Sequence, residues 1–147
     1  MDLWEGINPR LAEYMDFLIQ SGMYEQIDFW AMDTEATQFV TNVNILSMPM
    51  PISPALYVSS ASGEMERMGA TIISTDDSLE IGGFSTGRIE YSMPMEIPGW
   101  DPIVARGVQY ALSVGSNTYV LTFSTSEDQI SGMASIFEMS ANSFRVY

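Results

Sequence analysis

The stretch IVARGVQYALSVGSNTYVLTF, residues 103–123, decides the fold. Val104, Val108, Tyr110, Leu112 and Val114 fall on one side of a period-two pattern, Gly115-Ser116-Asn117 interrupts it, and Tyr119, Leu121 and Phe123 resume it. Strands joined by so short a turn pair antiparallel, so this stretch is expected to form a β-hairpin. Ser126-Glu127-Asp128-Gln129 then has the form of a capping box, with acids in the first turn, and Ile130, Met133, Ala134, Phe137, Ala141 and Phe144 keep helical spacing. A helix over 126–144 is expected to cover the hairpin, with Ile130, Met133, Phe137 and Phe144 facing inward.

Upstream of the hairpin, Gly87-Arg88-Ile89-Glu90-Tyr91-Ser92-Met93 alternates polar and apolar residues, as a strand with one wet face does. Thr71 to Thr75 and Leu79 to Phe84 read as two short strands around an Asp76-Asp77-Ser78 turn. Ser53-Pro54 is a helix entry, Val58, Ala61, Met65 and Met68 mark an apolar stripe, and Gly69 ends it, while Gly63 weakens it. Ile27 to Met32 and Phe39 to Leu46 are rich in β-formers, with Phe39, Thr41, Val43 and Ile45 on one side. Asn8-Pro9 opens a first helix bearing Leu11, Tyr14, Met15, Leu18 and Ile19, and Gly22 closes it. The expected order is α-β-β-α-β-β-β-β-β-α, an α+β domain over residues 1–147 whose single antiparallel sheet is covered by helices.

Several strings in this order resemble the PsbP-like and Mog-like fold family, which includes photosystem II extrinsic proteins, bacterial lipoproteins and small proteins of unknown function. They are Thr41-Asn42-Val43-Asn44, Gly87-Arg88-Ile89-Glu90-Tyr91, Gln109-Tyr110, Tyr119-Val120-Leu121-Thr122-Phe123 and Phe137 through Ser143-Phe144-Arg145. The resemblance implies a non-enzymatic binding or adaptor domain and carries no catalytic residue or cofactor with it, because the matching strings are sheet and helix core. The chain departs from the photosystem protein in having neither Lys nor His, so that protein's basic contacts and His-containing metal sites have no counterpart.

Composition narrows the chemistry further. Nineteen Asp and Glu stand against five Arg, for a net charge of -14, so a polyanion gains no counterion release here and nucleic acid is not an expected partner. The same charge suits solubility of a chain that is 46% hydrophobic. With Cys and His both absent, a thiol nucleophile, a Ser-His-Asp triad and a His or Cys zinc site are excluded. Without Lys, a Schiff base and a phosphate-loop lysine go too. No apolar stretch reaches the length of a membrane span, and the compartment is expected to be the cell envelope if a signal segment precedes Met1, the cytoplasm otherwise.

The remaining candidates are carboxylates, tryptophans and methionines. Asp76-Asp77 with Glu80, Glu64 with Glu66, and Glu127 with Asp128 could serve a carboxylate-based hydrolase, though each also reads as a turn former, a solvated helix face or helix-start acids. Trp4, and Trp100 with Asp101 in the Pro98-Gly99-Trp100-Asp101-Pro102 loop, are candidate contacts for a protein partner or apolar ligand. Ser-Met-Pro-Met occurs at Ser47 to Met50 and at Ser92 to Met95, and both strings are expected to leave the sheet after a strand. If Met48, Met50, Met93 and Met95 converge, their thioethers would suit Cu(I); if not, they are packing or partner surface. No resident cofactor is expected.

Overall fold

The computed structural model describes residues 27–35 and 39–147, together with Ala12, Glu13, Asp16, Ile19, Gln20 and Gly22. The central hairpin forms as β5 (Ile103–Val114) and β6 (Asn117–Ser126), paired from Ala105 opposite Ser126 to Val114 opposite Asn117. Around it lie β1 (Phe29–Met32), β2 (Asn42–Met48), β3 (Thr71–Ile81) and β4 (Phe84–Met95). All pairings are antiparallel, in a six-stranded sheet of order β1-β2-β6-β5-β4-β3. Helix α1 (Pro54–Arg67) follows β2, and α2 (Ile130–Asn142) follows β6. Five of the six described Ala12–Gly22 positions are helical, and the rest of the expected first helix lies outside the described residues.

The two helices take opposite faces, as the alternation of β4 and β5 dictates. On one face Val108, Tyr110, Leu112, Leu121 and Phe123 pack against Phe137 and Ala141 of α2, with Ile130, Met133 and Phe144 partly buried beside them. The inward set expected for the last helix is thus in place. On the other face Ile89, Tyr91 and Met93 of β4 meet Tyr57, Val58, Ala61 and Met65 of α1. This contact is close because the strands carry glycine where the helix and a ring press in. A Cβ on Gly87 would lie 3.0 Å from Val58 Cγ2, and one on Gly107 would lie 2.2 Å from Tyr91 Cζ.

Three expectations fail for identifiable reasons. The chain does not turn at Asp76-Asp77-Ser78: Thr71–Ile81 is one strand with an irregular register between Asp76 and Leu79, and the reversal comes at Gly82-Gly83, both at positive φ. The Asx-type bonds that suggested a turn do exist, since Ser78 N and Oγ each donate to Asp76 Oδ1 at 2.8 Å, but they sit in a bulge. The sheet accordingly has six strands where seven were expected. The capping box is absent: the N-cap of α2 is Gln129, which makes no side-chain cap bond. Its amide oxygen instead accepts from the Thr41 and Thr125 hydroxyls at 3.3 Å, below the sheet. Finally, Met93-Pro94-Met95 stays in β4, with Pro94 opposite Val104. β3 begins opposite Ser92, so past that point β4 has an open edge that tolerates a residue without N–H. Pro49, in contrast, does end β2, and Thr118 Oγ1 holds the departing chain by donating to Met50 O and accepting from Ile52 N, both at 2.9 Å.

Candidate functional site: the cleft between α2 and the β3–β4 hairpin

Helix α2 packs on β5 and β6, with Leu79 and Ile81 of β3 joining the same core, and leaves the sheet face open around Ser74, Asp76, Arg88 and Glu90. What lies there is written by the even-numbered residues of β4. Arg88 and Glu90 point to this face, while Gly87, Ile89 and Tyr91 point to the α1 face. Glu90 accepts from Arg88 Nη2 at 3.1 Å and from Arg106 Nη2 at 2.6 Å, so one carboxylate from β4 bridges guanidiniums from β4 and β5. Arg88 also donates to Ser74 Oγ on β3 at 3.1 Å and stands 5.9 Å from the centre of the Tyr110 ring. The resulting polar row crosses β5, β4 and β3.

Two hollows open along this row. One, of about 330 Å³, lies between the β3 bulge and the C-terminal half of α2, with Ser74, Asp76, Glu80, Arg88, Tyr110 and Glu138 among its walls. The second, of about 290 Å³, continues toward the start of α2, with Glu90, Val108, Ile130, Ala134 and Ser135 among its walls. They share Arg88, Tyr110 and Glu138 and so form one trough beside the helix.

Two of its carboxylates, Glu90 and Asp76, are held ionised. Burial alone would raise the Glu90 carboxyl, but the hydrogen bonds and charges of Arg88 and Arg106 outweigh it and leave the group below the usual range. Asp76 is likewise lowered, chiefly by the backbone N–H and then the hydroxyl of Ser78. On the opposite face burial pushes Tyr91 up to about 12 and raises Tyr57 further still. The Tyr57 hydroxyl donates to Gln109 Oε1 at 2.7 Å. Both hydroxyls are neutral under α1.

The residues singled out in the sequence fall elsewhere or play other parts. Trp100 is half-buried in a cluster with Val40, Ile97 and Ile103, and its Nε1 donates to the Glu13 carboxylate, so its indole is taken up by the chain itself. Asp101 is exposed in the same loop, and Trp4 lies outside the described residues. The four methionines do not converge. Met48 faces Thr118, whose row continues through Ser113 toward the β3–β4 turn, whereas Met93 and Met95 pair with Ala105 and Ile103 at the far end. Three strand spacings and some eight residues of rise separate the pairs, roughly 25 Å or more, so they cannot ligate one ion. Met93 and Met95 are partly buried packing, and Met50 is exposed. Glu64 is paired with Arg67 on the surface of α1. Of the proposed carboxylate sets, Asp76 reaches the trough, whereas Glu80, opposite Ser85 and between the core residues Leu79 and Ile81, turns its side chain to the other face of β3. Among the described residues no group of three or more acids is placed to hold a metal ion. The alternation of residues 87–93 announced a wet face but not which helix would border it; Arg88, Glu90, Arg106, Tyr110 and Glu138 were missed for that reason.

No protein-family model matches the chain, and no curated protein sequence matches it. Solved structures do. PA94 of Pseudomonas aeruginosa, a protein of unknown function, superimposes with a TM-score of 0.63 at 13% identity over 81% of this chain and 82% of its own. The solution structure of cyanobacterial PsbP (CyanoP) from Synechocystis does so with a TM-score of 0.54 at 15% identity over 81% of both chains. LpqN of Mycobacterium tuberculosis overlaps at a TM-score of 0.45, 16% identity and 76% and 74% coverage, too distant to support an argument. With its single antiparallel sheet between helices and its likeness to cyanobacterial PsbP, the chain has a PsbP-like fold.

Proposed function

We propose that this chain is a non-enzymatic binding domain and that the trough between α2 and the β3–β4 hairpin holds a segment of a partner protein. The observation that carries the reading is the open part of the α2 face, where a sheet that is otherwise packed presents a bordered row of Arg106, Glu90, Arg88 and Ser74. A half-open trough with both donors and acceptors on its floor suits an extended chain, which offers carbonyls and N–H groups along its length.

The alternative of a carboxylate-based hydrolase asks for an acid raised toward neutrality beside a second, ionised one. Glu90 and Asp76 both lie below their ordinary values, which favours binding over proton transfer. The acidic surface argues for a protein rather than a polyanion as partner. Among the described residues no helix is long and apolar enough to cross a membrane. An envelope location belongs to the same proposal, and rests on the resemblance to envelope lipoproteins.

The experiment is affinity capture from native lysate with the wild type and with Ala134→Trp, which fills the trough from an exposed position on α2. Proteins retained by the wild type and lost by Ala134→Trp, with Asp101→Asn behaving as wild type, support the reading. Equal capture by all three contradicts it. Turnover of an esterase, phosphatase or glycosidase substrate that a single Asp or Glu substitution abolishes would establish the hydrolase instead.

A further inference from the structure

The charged residues leave two long gaps in this chain. Residues 36–63, between Glu35 and Glu64, hold no charge, and neither do residues 107–126, between Arg106 and Glu127. The fold sets these gaps side by side. β2 pairs with β6 so that Ser47 and Met48 stand opposite Tyr119 and Thr118. The segment that leaves β2 is tied to the same hairpin by Thr118, and Ser113 Oγ adds a bond to Ile52 O. One end of the molecule is thus built from the Met48–Pro54 segment, the first half of α1 and the β5–β6 turn. Among the described residues charge begins at its borders: Asp28 accepts from Ser47 N at 2.8 Å, Glu64 opens the charged half of α1, and Glu80 lies opposite Ser85 on the β3 side.

This end is also apolar and has few free backbone groups. Met50 is 54% exposed and Leu56 57%, and Pro49 and Pro51 are exposed beside Met50. Prolines at 49, 51 and 54 carry no N–H. Met50 O, Ile52 N and Ile52 O are bonded inward, Ser53 O accepts from Tyr57 N, and Ser53 Oγ accepts from Leu56 N. Covering such a segment strands few polar groups, so burial of Met50 and Leu56 meets little opposing cost.

The charge distribution decides what covers it. A basic partner is drawn to the acidic remainder of the surface. A surface kept clear of charge matters most to a partner with the same acidic excess. Two chains of net charge -14 repel wherever their acids approach, and they meet most easily where neither has any. We infer that two copies of this chain pair through this end, Met50 and Leu56 of each copy lying against the same residues of the other across a twofold axis. A stable interface takes about 800 Å² and some twenty residues from each partner, a number that residues 47–60 and 113–118 supply. The trough lies on the α2 face and stays open in both copies, so the pairing stands independently of what the trough holds.

Sedimentation equilibrium of wild type, the double variant Met50→Glu, Leu56→Glu and the control Met139→Glu tests it. The first turn of α1 has no acid, so glutamate at position 56 favours the helix, and circular dichroism should show the double variant folded. Met139 is 66% exposed on α2 and carries the same charge change outside the proposed interface. Wild type is expected to be a dimer at about 10 µM, with at least about a hundredfold rise in the dissociation constant in the double variant and no change in the control. Raising sodium chloride from about 50 to about 500 mM should tighten the wild-type dimer, because screening relieves the repulsion between the acidic remainders. A wild type still monomeric at about 200 µM in the higher salt would overturn the pairing. So would a dimer weakened equally by Met139→Glu, or one that salt dissociates. Monomeric wild type that floats with phosphatidylcholine vesicles, while the double variant does not, would make this end a lipid contact and overturn it as well.

Discussion

The two faces of β4 pose opposite problems to the same strand. On the α1 side, Gly87, Ile89, Tyr91 and Met93 are pressed so closely that glycines stand where a methyl would collide, and Ile89 is fully buried. On the α2 side, Arg88 and Glu90 remain partly solvated and pair with one another and with Arg106 instead of packing. Close packing on one face supplies stability, because buried apolar area and dispersion contacts scale with it. A polar row in partial solvent supplies little stability and leaves donors and acceptors within reach of a ligand. The closed face therefore holds the fold, and the open face is the one on which the proposed binding rests.

That contrast breaks most visibly at Gly107. Gly107→Ala would drive a methyl into the Tyr91 ring, and about 3 kcal/mol of destabilisation is expected, the upper end for overpacking a core. In a domain of this size the melting temperature falls by roughly 10 °C. Adding Tyr91→Ala should recover part of the loss, so the double variant is more stable than additivity predicts. Additive effects would mean the ring does not define the space above Gly107.

Tyr57→Phe probes the same face more gently. It removes the bond to Gln109 and leaves that amide oxygen without its donor, for about 1 to 2 kcal/mol in chemical denaturation. An unchanged midpoint would mean water replaces the hydroxyl and α1 is less tightly seated than its glycines imply.

On the open face the expected effect is smaller and depends on pH. Glu90 has a folded pKa below its unfolded value near 4.3, so its contribution is fully present above that value and is lost as pH falls through the lowered folded one. Glu90→Gln should therefore cost about 1 kcal/mol at pH 7, and wild type and variant should converge as pH falls below the lowered folded value. A gap that persisted with the carboxyl protonated would show that the side chain acts through packing rather than charge.

Much of this division was legible beforehand. The hairpin at 103–123, the inward set of α2 and the wet face of residues 87–93 follow from periodicity, which is local and strong. The bulge at Asp76 was not, because the same Asx bonds serve a turn or a bulge and only pairing with β4 tells them apart. Nor was the true start of α2, where the bond from the Thr41 hydroxyl to Gln129 joins residues 88 apart in sequence. The trough itself needs α2, β3 and β4 in place together, and Trp100 and the methionines drew attention as rare residues whose roles are set by tertiary position.

Amide chemical-shift mapping during titration with a protein captured from native lysate tests the division of faces most directly. The account predicts shifts confined to residues 74–81 of β3, 88–90 of β4, Tyr110, and residues 130–142 of α2, with α1 and the Tyr57 and Tyr91 amides unmoved. Shifts centred on α1, or spread evenly over the acidic surface, would contradict it.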